Sequence, residues 1–355
     1  MISSDFYFRD KIPVAILGAT GCIGQKIVQL LERHPWFQIV ALCASERSAG
    51  KAYGEAVHWL MPTPLPPAIA QMTVQACEPN ISCSLVFSAL DASVAGEIEW
   101  RFAEAGFLVV SNSRNHRLNP QVPLVIGEVN ADHLELAKKQ PFAKGKIITN
   151  PNCSVIGLTL ALKPLFDRFG LEAVHAVTLQ AVSGAGYPGV GSLDILDNVI
   201  PFISGEEEKI EKEPLKILGK LSEQGIQEIP LKISAQCNRV AVTNGHLACL
   251  SVKLKQKASR QELIHAWNDF SGEPQQLQLP SAPFQPLHFF EEPTYPQPLL
   301  HRSLDKEMAV SIGQLRSCPL LDYKFTLLSH NTVRGAAGAA LLNAELLVKK
   351  GWVFW

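Results

Sequence analysis

No two of the eight cysteines stand as a C-x-x-C pair; they are scattered at positions 22, 43, 77, 83, 153, 237, 249 and 318. That absence removes a locally written zinc site or dithiol motif. Their apolar surroundings fit reduced thiols packed as small hydrophobes, the usual state in a cytoplasmic chain. An excess of charge is lacking too, since 32 Lys and Arg stand against 33 Asp and Glu, a formal net charge of −1. The chain therefore carries no electrostatic footprint for nucleic acid or for an anionic membrane surface. No apolar run approaches the roughly 18 residues of a membrane span. Asp5, Arg9, Asp10 and Lys11 precede any apolar stretch, which speaks against a secretory signal. Neither an internal repeat nor a low-complexity tract occurs. What remains is a cytoplasmic enzyme or binding protein, whose 355 residues suffice for about two domains.

The first element present is Val14-Ala15-Ile16-Leu17, an apolar run that reads as a buried strand. It leads into Gly18-Ala19-Thr20-Gly21-Cys22-Ile23-Gly24, then a helical pattern with Ile27, Leu30 and Leu31 on one face, then a second strand over 37–42. Strand, glycine turn, helix and strand make a βαβ unit and open a parallel sheet. The alternation continues with strands at 85–90, 107–111, 124–128 and 146–149 and a helix at 92–105. Four prolines between 62 and 67 mark a surface loop. After Asn150 the pattern changes. A helix is expected from Ser154 to about Phe169, a long strand at 173–182, and an amphipathic helix at 206–221. Strands at 232–242, 248–255, 309–315 and 323–328 suit a mixed or antiparallel sheet. Six prolines between 280 and 298 suggest an extended excursion. The chain closes with a helix at 334–350 whose Gly335-Ala336-Ala337-Gly338 start permits close backbone packing.

Gly18-x-x-Gly21-x-x-Gly24, between a strand and a helix, is a dinucleotide fingerprint. Backbone N–H groups at a helix start approach a pyrophosphate with no Cβ in the way. The end of the second strand then meets the adenosine ribose. Glu46 lies where an acidic residue accepts from a 2′-hydroxyl and favours NAD. Arg47, with Ser45 and Ser48, suits a 2′-phosphate and favours NADP. Spacing leaves both open.

Asn150-Pro151-Asn152-Cys153-Ser154 lies between a strand and a helix. Cys153 is thereby placed at a helix start, where the macrodipole stabilises a thiolate and lowers its pKa. Cys22, the nearest rival, sits inside the cofactor turn. A thiol nucleophile needs a base, and His246 stands out because Asn244-Gly245 forms a turn before it and Arg239 precedes it by seven residues. Base and guanidinium are expected on one hairpin, with Arg239 suited to a planar anion.

Together these residues carry a family resemblance. The stretches Gly18 to Gly24, Ala44-Ser-Glu-Arg-Ser-Ala-Gly50 and Ile147-Ile-Thr-Asn-Pro-Asn-Cys153-Ser resemble the archaeal and fungal branch of the aspartate-semialdehyde dehydrogenases. Gln180-Ala-Val-Ser-Gly-Ala-Gly-Tyr187, Gly205-Glu-Glu-Glu-Lys209, Cys237-Asn-Arg-Val-Ala-Val242 with Gly245-His246, and His330-Asn-Thr-Val-Arg-Gly-Ala-Ala-Gly338 extend it in order along the chain. The resemblance implies NADP-dependent, reversible interconversion of L-4-aspartyl phosphate and L-aspartate 4-semialdehyde through a cysteine thioester, in lysine, methionine and threonine biosynthesis.

The resemblance also implies roles. Cys153 is then the nucleophile, His246 the general acid/base, Gln180 the residue orienting the intermediate, and Asn152 the support of the oxyanion. Arg239 meets the substrate carboxylate, Glu206 the ammonium, and Lys209 with Arg117 the phosphate. The run of three glutamates leaves Glu207 and Glu208 open. Asn112-Ser113-Arg114 departs from the family's usual Asn-Ala-Ser, leaving Arg114 against Arg117 open. Cofactor contacts fall to Gly18, Thr20, Gly21, Cys22, Ile23, Ser45, Arg47, Ser48, Ser88, Ala89, Leu90, Ser183, Gly184 and Asn331, and no metal is implied.

The fold expected is a Rossmann-type doubly wound α/β sheet, residues 1–150 with 330–355, and a second α+β catalytic and dimerisation domain, 151–329. Partners are the small-molecule substrate and a second copy or more, as homodimer or homotetramer. A related acyl reductase, of malonyl-coenzyme A or N-acetyl-glutamyl-phosphate type, is the enzyme alternative. A non-catalytic dinucleotide-binding sensor is the alternative of another class, and it has no chemical reason to hold Cys153, Gln180, Glu206, Arg239 and His246 together.

Overall fold

The structure, a computed structural model, describes residues 11–353. Asp5, Arg9 and Asp10, read against a secretory signal, lie outside the described residues. The first sheet is built from β1 (Ile12–Leu17), β2 (Phe37–Ala44), β3 (Val74–Ala76), β4 (Leu85–Ser88), β5 (Leu108–Ser111) and β6 (Lys146–Thr149). Its order is β3-β2-β1-β4-β5-β6 with every neighbouring pair parallel. Every residue of β4 and β5 is buried. Helices α1 (Cys22–Leu31) and α2 (Ala92–Glu104) connect strands of this sheet. Sheets sandwiched in this way select short unbroken apolar strands. The strand order reverses between β1 and β4, which opens a crevice beyond the carboxyl ends of those strands. The expected doubly wound architecture is present.

The second sheet is mixed. Around a small hairpin of β8 (Lys220–Ser222) and β9 (Gly225–Gln227), the chain supplies β7 (Leu171–Ala181), β10 (Lys232–Val240), β11 (His246–Leu254), β12 (Leu287–Phe290), β13 (Val310–Ser317) and β14 (Tyr323–Ser329). They order as β10-β7-β11-β14-β13-β12. Helix α3 (Cys153–Phe169) packs on this sheet, burying Val155, Leu158, Leu162 and Leu165 with Val174, Ala176, Leu250 and Phe325. Helix α4 (Glu206–Ile217) lies against β10, and α5 (Arg260–Asn268) starts from a Ser259/Glu262 capping box. The terminal helix α6 (Gly338–Lys349) is buried from Gly338 to Val348. Its Leu341, Leu342, Leu346 and Leu347 share a core with Ile12, Val14 and Ile16 of β1. Burial of each such leucine contributes about 1.5–3 kcal/mol.

Four local expectations are corrected. Residues 124–128 form no strand: Leu124 makes one bridge to Thr149, and Gly127–Asn130 is a helical turn. The Asn130 side chain donates to the Leu124 carbonyl and accepts from the Ile126 N–H, replacing the ladder bonds of a strand. The helix expected over 206–221 ends at Ile217, and the β8–β9 hairpin begins at Lys220. The proline-rich 280–298 segment contains β12, an edge strand, the sheet position that tolerates flanking prolines. The last helix starts with a wide π turn, Val333–Ala337. A Cβ on Gly335 would lie 2.8 Å from the Cβ of Cys153, so the small residues do permit a close approach.

Candidate active site

Two clefts meet at the short 3-10 turn Val182–Ala185 that follows β7. The first is lined by Cys22 and Lys26 of α1 and by Ser183, Tyr187, Asn244 and Thr332. Cys22 belongs to the glycine turn, which this cleft adjoins. Gly18 has φ +79°, and a Cβ there would lie 2.6 Å from the Ala89 carbonyl oxygen. A Cβ on Gly24 would lie 2.2 Å from the Gly18 carbonyl oxygen, so both glycines are required by packing alone. Gly21 differs. It is the N-cap of α1, supplies no side-chain cap, and a Cβ on it would meet nothing nearer than 3.5 Å. The first N–H groups of α1 thus remain free for an anion, the arrangement a dinucleotide pyrophosphate needs.

The other cofactor candidates have mixed settings. Thr20, Cys22 and Ile23 belong to this turn, and Ala89 is tied to β1 by its N–H to the Leu17 carbonyl. Leu90 follows at the mouth of the crevice. Ser45 and Arg47 are exposed and Ser48 half-buried beyond β2. Ser88 offers only its backbone, because its hydroxyl is buried and donates to Glu99 at 2.6 Å. Ser111 donates to the same Glu99 oxygen, and burial pushes that carboxyl up to about 7. Asn331 is buried and bridges Ser183 to the Gly245 N–H, joining the turn to the residue before His246.

The second cleft gathers Cys153, Asn152, Gln180, Gly184, Glu206, Lys209 and Arg117 with Asp91, Asn112 and Arg114. Cys153 is the first residue of α3, and Asn152 caps that helix by accepting from the Ser154 N–H at 2.9 Å and the Val155 N–H at 3.4 Å. Glu206 organises the centre. It accepts from Asn152 Nδ2 at 3.0 Å, Gln180 Nε2 at 3.2 Å and Lys209 Nζ at 2.6 Å. The Asn152 amide is thus directed at Glu206, not at an empty oxyanion position. Of the glutamate run, Glu207 turns to the Cys237 N–H and Glu208 pairs with Lys212 on the surface. Glu206 alone of the three lines the cleft. Both arginines line it, but Arg117 is buried and fixed while Arg114 is exposed.

Arg239 and His246 do not share a hairpin. Strand β7 lies between β10 and β11, and Gln180 pairs in register with Arg239. The next residue, Ala181, holds both side chains: its carbonyl accepts from Arg239 Nη1 at 2.8 Å and its N–H donates to His246 Nδ1 at 3.1 Å. A donor at Nδ1 assigns the neutral ring's proton to Nε2. That Nε2 is buried without a protein partner, beside Gly184. A Cβ on Gly184 would stand 2.8 Å from Arg239 Nη1 and 3.1 Å from His246 Nε2.

Electrostatics corrects one expectation. Cys153 keeps part of its surface open to the cleft, yet burial pushes its thiol up to about 12, with Glu206 adding to the rise. Arg117, Lys209 and Arg239 oppose that shift. Burial outweighs these cations, so the resting sulfur is a thiol. Burial, then the charges of Arg239 and His330, hold His246 down to about 3, a neutral imidazole. Two residues absent from the sequence reading complete the site. Glu213 and Lys216 are buried on the face of α4 that carries Glu206 and Lys209. Their i+3 and i+4 spacing was the only signal available, and charged residues at that spacing ordinarily face solvent.

The family model for the semialdehyde dehydrogenase NAD binding domain matches residues 13–137, and that for the semialdehyde dehydrogenase dimerisation domain matches residues 162–334. An aspartate-semialdehyde dehydrogenase of Schizosaccharomyces pombe is 49% identical over 350 residues, covering 95% of this chain and 98% of its own. That of Archaeoglobus fulgidus is 46% identical over 344 residues, covering 96% and 99%. The crystal structure of the Candida albicans aspartate semialdehyde dehydrogenase with NADP matches with a TM-score of 0.90 at 42% identity, covering 97% of this chain and 100% of that one. With two domain models in tandem, relatives near half identity from end to end, and one shared backbone, the chain belongs to the aspartate-semialdehyde dehydrogenase family.

Proposed function

We propose that the chain interconverts L-4-aspartyl phosphate and L-aspartate 4-semialdehyde, NADP-dependently, through a thioester on Cys153. One observation carries the reading: Cys153 lines a cleft with a carboxylate, Glu206, and two cations, Arg117 and Lys209, and a third cation, Arg239, stands at Gly184 in the same lining. A substrate with an ammonium, a carboxylate and an acyl phosphate presents the complementary charges. Arg239 takes the carboxylate, Glu206 the ammonium, Lys209 and Arg117 the phosphate, and Gln180 orients the acyl group.

The Cys153 sulfur attacks the acyl carbon, the carbon–oxygen bond to phosphate breaks, and the thiol proton leaves with phosphate. When bound, NADPH supplies the hydride that reduces the thioester carbon. His246 Nε2–H donates a hydrogen bond to the oxygen on that carbon. As the aldehyde leaves, the sulfur takes back the one proton that the net reaction consumes. The uncapped N–H groups at the start of α1 and the tight turn at Gly18 are what fits the cofactor to this chain.

We extend the proposal to the domain division, 1–150 with 330–355 against 151–329, supported by the packing of α6 on β1. It extends also to a homodimer or homotetramer, supported by the dimerisation-domain match. A cytoplasmic setting is supported by eight free cysteines among the described residues; no helix among those residues is long and apolar enough to cross a membrane. The test is oxidation of aspartate semialdehyde with NADP or NAD, with and without phosphate. Phosphate-dependent NADP reduction is expected. Dependence on coenzyme A instead would overturn the reading.

A further inference from the structure

Helix α4 carries four charged residues on one face, Glu206, Lys209, Glu213 and Lys216, alternating in sign. The first two line the cleft. The second two are more deeply buried, at 2% and 4% exposure. Glu213 Oε1 accepts from Arg117 Nη1 at 3.0 Å, and Oε2 accepts from the Asn152 backbone N–H at 2.7 Å. One carboxylate therefore holds both a cleft cation and the peptide just before the nucleophile. Lys216 spends all three of its donors on the loop that carries that cation: the carbonyls of Arg117, Asn119 and Val122 accept at 2.7, 2.8 and 2.7 Å. The Asn112 carbonyl also accepts from Arg117 Nη2, at 2.8 Å.

We propose that Glu213 and Lys216 are positioning residues that fix Arg117 against the acyl phosphate, Glu213 through the guanidinium and Lys216 through the backbone. This rests on the reading of Arg117 as a phosphate contact. The loop at 112–122 follows β5 of the first sheet, whereas α4 packs on the second. The charged stripe is thus the clamp that brings a cation of one region to the thiol of the other. A glutamine at 213 keeps the shape but offers one acceptor where two donors converge, so one of them faces an N–H instead.

The experiment measures phosphate-dependent oxidation of aspartate semialdehyde by Glu213→Gln, Arg117→Ala and the double variant. Glu213→Gln is expected to raise KM for phosphate about tenfold while KM for the semialdehyde stays within about twofold. In the Arg117→Ala background the same change is expected to add less than about twofold, because two residues acting through one group are not additive. A role limited to stability would leave KM for phosphate unmoved or give additive losses, and either result overturns the proposal. Should Glu213→Gln fail to fold, Lys216→Met carries the same KM comparison, and an unchanged phosphate KM there overturns it equally. Wild-type protein without phosphate-dependent activity would instead remove the reading on which the proposal rests.

Discussion

Two strand-to-helix junctions of this molecule look alike in sequence and differ in what their helix starts are used for. Each places a cysteine at the first helical residue, Cys22 in α1 and Cys153 in α3. At the first, the cap is Gly21, whose lack of a side chain leaves the N–H groups free. At the second, Asn152 fills those donors itself and hands its amide to Glu206. The first junction offers an anion only backbone, as the proposed cofactor site requires. The second is a side-chain site, in which the helix start fixes where the thiol stands and charged side chains surround it. A helix start alone therefore does not mark a nucleophile; the proposed role of Cys153 rests on the charged groups around it, which match those of the substrate.

The two cysteines separate the junctions most sharply. Cys153→Ala is expected to drop turnover below about 10⁻⁴ of wild type, with NADP affinity, measured by fluorescence titration, within about twofold. Cys22→Ala is expected to keep turnover within a few-fold. A reversed pattern would exchange the roles of the two junctions.

A second contrast separates backbone approach from backbone packing inside the first junction. Gly21→Ala is expected to raise KM for NADP about tenfold or more with little change in Tm, since its Cβ meets only ordinary contacts. Gly24→Ala drives a Cβ to 2.2 Å from the Gly18 carbonyl and is expected to lower Tm by at least about 4 °C. Equal effects on Tm would show that Gly21, too, is kept for packing.

The smallest effect is in acid. His246 and His330 titrate at about 3 and 4 in the folded chain, below their ordinary 6.5. Below pH 6.5 the unfolded chain takes up these protons first, so stability is full above that pH and declines as pH falls towards 3. Urea midpoints measured across that range are expected to fall, and less steeply in His330→Asn. A parallel slope in that variant would contradict the buried, neutral state of His330.

Much of the first region was legible because its signals are local. The run Val14 to Leu17, the glycine spacing and the next strand lie within about thirty residues, and the structure reproduces them as β1, α1 and β2. The second region depends on contacts between distant residues. No spacing rule places Glu213 beside Asn152, or β7 between Arg239 and His246. The expected lowered thiol pKa came from the helix start, which is visible in sequence. The burial that reverses it is visible only in the fold, where the terminal segment at Gly335 packs against Cys153 and the charge of Glu206 adds to the rise. Leu124 to Glu128 misled for a related reason: an apolar run reads as a strand until a side chain, here Asn130, takes the ladder bonds.

In the proposed mechanism the charged second junction, and not the glycine-capped first, carries the covalent chemistry. Rapid quenching of the protein with aspartate semialdehyde and NADP in the absence of phosphate, followed by peptide mass mapping, tests it directly. One aspartyl group is expected on the peptide containing Cys153, formed with a stoichiometric burst of NADPH and released when phosphate is added. An acyl group on Cys22, or full phosphate-dependent turnover with no acyl group on Cys153, would contradict it.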